Sequence, residues 1–186
     1  MPFTPFHFGP GMLVKGIAPR WWSWTSYAVT QVVIDVETLF NIVRNHYPAH
    51  GALHTFLGGS LAGAATATAL VAARHGARRA LPRFSSEVER QAPSIRAEAG
   101  TGPIFAGGVI GGALHALLDG FMHPDSEPFM PWMPENPLLH VVRFGPLIAG
   151  CVLSGLVGVA LLSLWLSAEQ RARRTVGAGA DAQRER

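Results

Sequence analysis

The apolar positions of this chain gather into long unbroken runs. They do not alternate as in a half-buried strand, nor recur as one stripe of a soluble helix. Residues 55–73, 99–118 and 144–168 contain no Asp, Glu, Lys or Arg, which gives runs of 19, 20 and 25 residues. Each matches the roughly 20 apolar residues that carry a helix across a bilayer. A fourth stretch, about 21–40, opens on Trp21, Trp22 and Trp24 beside Arg20, a combination suited to the membrane interface. It is the least apolar of the four because it holds Gln31, Asp35 and Glu37. The pattern predicts an all-α, polytopic membrane bundle of about four transmembrane helices, near 21–40, 54–73, 103–121 and 147–167. Gly59 and Gly63 in the second span, and Gly107, Gly108, Gly111 and Gly112 in the third, are placed for close helix contact.

Charge sharpens the picture. Of 186 residues only 15% are charged, well under the roughly 25% of an ordinary soluble domain. Eleven of the fifteen cations lie in two places, residues 74–98 and the tail after Glu169. Both flank hydrophobic spans without interleaved aromatics, so they read as membrane-orienting charges and not as a nucleic-acid surface. The prediction is a multi-pass protein of a bacterial-type inner membrane, N-in and C-in, with residues 1–168 embedded. Residues 169–186, rich in Arg, Gly and Ala, are expected to be a disordered cytoplasmic tail. The single cysteine, Cys151, excludes an intramolecular disulfide.

Against this background a few ionisable residues stand out. Asp35 falls about 14 residues beyond Trp21, roughly 21 Å along a helix. His50 and His54 sit at the mouth of the second span, and share a face if its helix begins that early. His115, Asp119 and His123 are successive i, i+4 steps toward the end of the third. The groups converge at one depth from three spans, and ionisable residues inside a membrane mark functional sites by default. Imidazole and carboxylate without thiolate suit Zn²⁺, and also Mn²⁺, Fe²⁺ or Ni²⁺. They supply more than the three ligands of a catalytic zinc, enough for one or two ions.

MPFTPFHFGPG (1–11), IDVE (34–37), HGALHT (50–55), GGALHALLDGFMHP (111–124) and PFMPW (128–132) together resemble the predicted membrane-bound metal-dependent hydrolases. That group is linked with zinc-dependent phospholipase C by its ligand pattern. The resemblance covers roughly residues 1–132. It implies metal-site roles for His7, Asp35, His54, His115 and Asp119, with His50 matching the first His of a His-xxx-His element. Members with an Asp-x-Asp-His element carry an Asp and a His where this chain has Glu37 and Thr38. His7 reaches such a site in one of two ways: a re-entrant segment near 11–18, or an N-out start with 8–18 as a half-helix.

The expected function is a divalent-metal hydrolase, most suited to zinc. It acts near the outer membrane face on an amphiphile such as a phospholipid phosphodiester, with Glu37 or Asp125 as general base. Two other classes use the same residues: a transporter or ion-conducting subunit, and an assembly protein with structural metal. Membrane lipids are expected partners of all three.

Overall fold

The computed structural model describes residues 5–80 and 93–184, and every regular element among them is helical. Met1 to Thr4 of the N-terminal motif, Arg83 and Arg90 of the first cation cluster, and Arg186 lie outside the described residues. Five helices make the bundle: α1 (Phe8–Ile17), α2 (Trp24–Val43), α3 (Phe56–Ala80), α4 (Thr101–Met122) and α5 (Phe144–Arg184). Three of them, α3, α4 and α5 over Phe144–Thr175, are long and apolar enough to cross a membrane.

The sequence pattern had suggested about four such helices, and the difference lies in α2. At 20 residues it is long enough, but Gln31, Asp35 and Glu37 lower its hydropathy. Those polar residues do not make it water-facing. Ser26, Tyr27, Thr30, Gln31, Ile34, Asp35 and Thr38 form its buried face. Val29, Val32, Val33, Val36, Leu39, Phe40 and Val43 are exposed. This helix is polar inward and apolar outward, the reverse of a soluble amphipathic helix.

Glycine sets how closely the helices approach. A Cβ on Gly59 or Gly63 would run into the backbone of Gly112 or Gly108, and the reverse also holds, so α3 and α4 touch main chain to main chain. The neighbouring face of α4 lies on α2, where Gly107 meets Ser23 and Gly111 meets the Tyr27 ring. Helix α1 packs on α5 in the same manner, through Gly9 against Cys151 and Gly158 against Met12. Running alongside α5 for only ten residues, α1 is a half-helix. A half-helix over these residues was one of the expected arrangements, and it starts at the end of the bundle where the histidines lie. Helix α5 continues to Arg184, through the stretch whose composition predicts disorder.

The opposite end carries most of the arginines and is tied together by two acids. The Lys15 ammonium, 3% exposed, donates to the carbonyls of Pro19, Trp22 and Ser94, each at 2.9 Å, and pairs with Glu98 at 2.7 Å. Glu98 also accepts from the Ser23 hydroxyl at 2.9 Å and from the amides of Trp24 and Thr25, so it caps the positive end of α2. Glu169 on α5 accepts from the Ser94 hydroxyl at 2.8 Å and lies 3.6 Å from Arg20. This lock fixes the lower ends of α1, α2 and α5, and therefore the height at which their upper residues sit.

Burial pushes the Glu98 carboxyl up, but the hydrogen bond and charge of Lys15, with the Thr25 contacts, hold it below its usual 4.5. A depressed folded pKa contributes stability above the unfolded value, and this is lost as pH falls through the folded value. Replacing Lys15 by Met should lower the unfolding free energy of detergent-purified protein by about 2–3 kcal/mol near neutral pH, since Glu98 is partly exposed and keeps its other donors. The gap between wild type and variant should narrow below pH 4.5. Thermal unfolding across pH checks this. A gap unchanged under acid conditions would contradict the pairing.

Candidate metal centre

The upper end of the bundle is built from four pieces of chain. Helix α2 contributes Gln31, Asp35, Glu37 and Thr38, and the last turns of α4 contribute His115 and Asp119. The turn Pro5–His7 delivers His7, whose carbonyl accepts the Tyr27 hydroxyl. His50 and His54 come from the connection between α2 and α3. They do not share a helix face: His54 ends the 3-10 turn Ala52–His54, and α3 begins only at Phe56. The reason is local. The Thr55 hydroxyl accepts the Gly58 amide at 2.8 Å, which caps the helix there. The two rings still converge, with centroids 4.9 Å apart.

Asp119 is the centre of the group. Its Oδ1 lies 3.3 Å from His7 Nε2 and 3.8 Å from His123 Nε2. Its Oδ2 lies 3.1 Å from His115 Nε2 and 3.5 Å from His54 Nε2. Asp35 Oδ1 stands 3.6 Å from the same His115 nitrogen. His7, Asp35, His50, His54, His115 and Asp119 are all buried, and His54 and His115 have no exposed surface. The residues expected at the centre are therefore brought together.

The outer nitrogens of three imidazoles have acceptors. His115 Nδ1 lies 2.9 Å from Gln31 Oε1, His54 Nδ1 3.2 Å from Glu37 Oε2, and His50 Nδ1 2.9 Å from Asp125 Oδ1. For His115 this identifies the tautomer. Gln31 Nε2 donates to the Gly111 carbonyl at 3.0 Å, so Oε1 is the atom left for His115 and the proton must be on Nδ1. In the neutral ring Nε2 then carries a lone pair, aimed at two carboxylates. That arrangement is repulsive unless a cation, either a metal ion or a second proton, lies between them. His7 Nδ1 and Nε2, His115 Nε2 and Asp119 Oδ1 are all buried without a hydrogen-bond partner, and buried polar atoms in such a state call for an ion or water.

The donor set fits a divalent metal. His7, His115 and Asp119 offer atoms within 4.8 Å of one another, and so do Asp35, His54 and His115, and His50, His54 and Asp119. A further group, His50, His123 and Asp125, adjoins them, with the rings of His50 and His123 stacked at 4.1 Å. Imidazoles oriented by a carboxylate or amide on the far nitrogen are the usual support of a metal site. Burial pushes the His123 imidazole down to about 4, so it is neutral near pH 7 and able to offer a lone pair.

Glu37 and Asp125, the expected proton acceptors, both hold histidines. Glu37 Oε2 also accepts the Leu53 amide at 2.9 Å. Asp125 Oδ2 takes the amides of Ala49 and His50 at 3.0 and 3.3 Å. Burial raises the Asp125 carboxyl, but these bonds and the His50 ring keep it below its ordinary range. Sequence reasoning gave no role to Gln31, Tyr27 or Thr38. The signal was available: residues 27, 31, 35 and 38 form an i, i+4 and i+3 stripe through Asp35. Thr38 Oγ1 lies 3.1 Å from His54 Nε2, so Glu37 and Thr38 address the two nitrogens of one ring.

No family model matches the chain, and neither a curated protein nor a solved structure matches it.

Gln31→Ala should free the His115 ring to take either tautomer and lower metal affinity by about 10–100-fold. Gln31→Glu, which keeps the acceptor for Nδ1 but loses the donor to the Gly111 carbonyl, should recover only part of it. Competition titration with a chromophoric chelator measures this. Equal affinity in wild type and Gln31→Ala would show that the amide does not orient the ring.

Proposed function

We propose that this protein is an integral-membrane, metal-dependent hydrolase, with zinc the metal best suited to its ligands. Its substrate is an amphiphile, and a phospholipid phosphodiester is the bond that the depth of the site favours. One observation carries the reading: with its Nδ1 turned to Gln31, His115 faces Asp119 at 3.1 Å and Asp35 at 3.6 Å through Nε2 inside a buried cluster, an arrangement that calls for a cation. The resemblance of residues 1–132 to predicted membrane-bound metal-dependent hydrolases points the same way.

The chain's own part in the chemistry follows from the geometry. His54, His115, Asp119 and Asp35 would hold the metal, and His7 or His50 would complete the set. A divalent cation held there supplies hydroxide at neutral pH and stabilises charge developing on the attacked group. Gln31, Glu37 and Asp125 keep the imidazoles turned inward. Between the two carboxylates considered for proton transfer, Glu37 is the better suited. Asp125 already accepts three N–H groups and is held acidic, which makes it a weak base at neutral pH. The same cluster in a transporter would need polar groups continuing toward the other end. Below it the α3–α4 interface is packed glycine on glycine, and on the polar face of α2 the Tyr27 and Thr30 hydroxyls are already spent on the carbonyls of His7 and Ser26.

In the bilayer, α2 serves as the fourth span, since its outward face is apolar. The arginine-rich end lies in the cytoplasm by the positive-inside rule, with the C-terminus. The metal centre then faces outward, and α1 starts on that side, in place of the N-in start that charge alone suggested.

Detergent-purified wild type should carry stoichiometric zinc and release the headgroup from a phosphodiester lipid. His115→Ala and Asp119→Ala should each lose the metal and bring hydrolysis to background. Elemental analysis beside a headgroup-release assay decides it. Metal content unchanged in both variants, or absent from the wild type, would overturn the proposal.

A further inference from the structure

A cavity of about 420 Å³ opens beside the cluster, between the start of α3 and the segment around Met130. Among the described residues His50 and Glu127 are its only ionisable lining residues, and the rest of its wall is almost wholly apolar, including Ala52, Leu57, Leu61 and Met130. Leu57 and Leu61 are one helical turn apart on α3, and they are 41% and 61% exposed. They belong to the outward face of a helix long and apolar enough to cross a membrane. The cavity thus has two ends of different chemistry. One reaches His50, whose ring lies against His54 and His123. The other merges with the surface that α3 turns toward hydrocarbon.

We propose that this cavity is a lateral gate for a single-chain segment of a bilayer amphiphile. The hydrocarbon chain lies along Leu57 and Leu61, and the polar head reaches His50 and Glu127. The occupant follows from continuity. An apolar groove open to lipid is filled by hydrocarbon, and this one ends at the candidate metal centre. Moving a chain from lipid into the groove brings no hydrophobic gain, because lipid tails are as apolar as leucine. The groove therefore positions the chain and leaves attraction to the head, the kind of orienting role that raises turnover. The proposal rests on the reading of the cluster as a metal centre only for what the head meets.

The test does not need turnover. The full-length protein in phosphatidylcholine nanodiscs is irradiated with hexadecyl phosphate carrying a mid-chain diazirine, and adducts are mapped by mass spectrometry. Zinc content is measured on the same samples. Adducts at Leu57, Leu61 and Met130 should exceed those at Leu153 and Leu156, exposed residues of α5, several-fold. Leu61→Trp, a change at an exposed site, should narrow the groove and bring labelling down to the α5 level with zinc content retained. Leu153→Trp should leave groove labelling as it is. Even labelling over α3 and α5, or enrichment that survives Leu61→Trp, would overturn the gate while leaving a zinc-loaded centre standing. Enrichment in a protein without zinc would support the gate and count against the metal reading.

Discussion

A carboxylate stripped of water must find positive charge or hydrogen-bond donors, and the folding of this chain is organised around one such group. Asp119 is 2% exposed and stands among the imidazoles of His7, His54, His115 and His123. None of those rings can act alone, because each must be turned so that the correct nitrogen faces inward. Gln31 does this for His115 and Glu37 for His54, while Asp125 turns the ring of His50, which joins His54 and Asp119 in one possible ligand group. The outer residues follow in turn. Gln31 is itself held by the Gly111 carbonyl, and Asp125 by two backbone amides. The polar face of α2 serves this arrangement, and its opposite face is apolar and exposed.

Rigid placement requires a reference at the other end. Lys15, Glu98 and Ser94 supply it, joining the half-helix α1 to α2 and, through Glu169, to α5. Main-chain contact through glycine holds α4 against α3 and α5 against α1 without bulky side chains between them. A helix shift of even one turn would move His115 and Asp119 by about 5.4 Å relative to Asp35, well outside the reach of a shared ion. The glycine contacts and the basal ion pair are thus the means by which three histidine-bearing segments keep a common depth.

Much of this was legible in the residue pattern. The charge-free runs identified α3, α4 and α5, and the ionisable residues in or beside them, with Asp35 of the stretch 21–40, identified Asp35, His54, His115 and Asp119 as neighbours. Other parts were not legible for stated reasons. α2 was counted as the least apolar span because one-dimensional hydropathy averages its two faces, and only the packing shows that Gln31 and Asp35 point inward. His50 and His54 have helical spacing, yet the Thr55 cap begins the helix after them, a choice decided by one hydroxyl. The half-helix α1 has too few residues to register as a span. Its depth depends on Lys15 meeting Glu98 across a long sequence separation, which no local pattern encodes. The role of Gln31 depends on an amide orientation set by a carbonyl on another helix.

The most direct test of the account is to see the ion. Anomalous diffraction at the zinc edge, on crystals of protein purified without chelator, should show a peak bounded by His115 Nε2 and an Asp119 oxygen. Refined metal–nitrogen distances should be about 2.0–2.1 Å. A second proton in place of the metal would leave no anomalous signal in the cluster. A peak elsewhere, with His115 Nε2 bonded only to Asp119, would also contradict the assignment of this cluster as a metal centre.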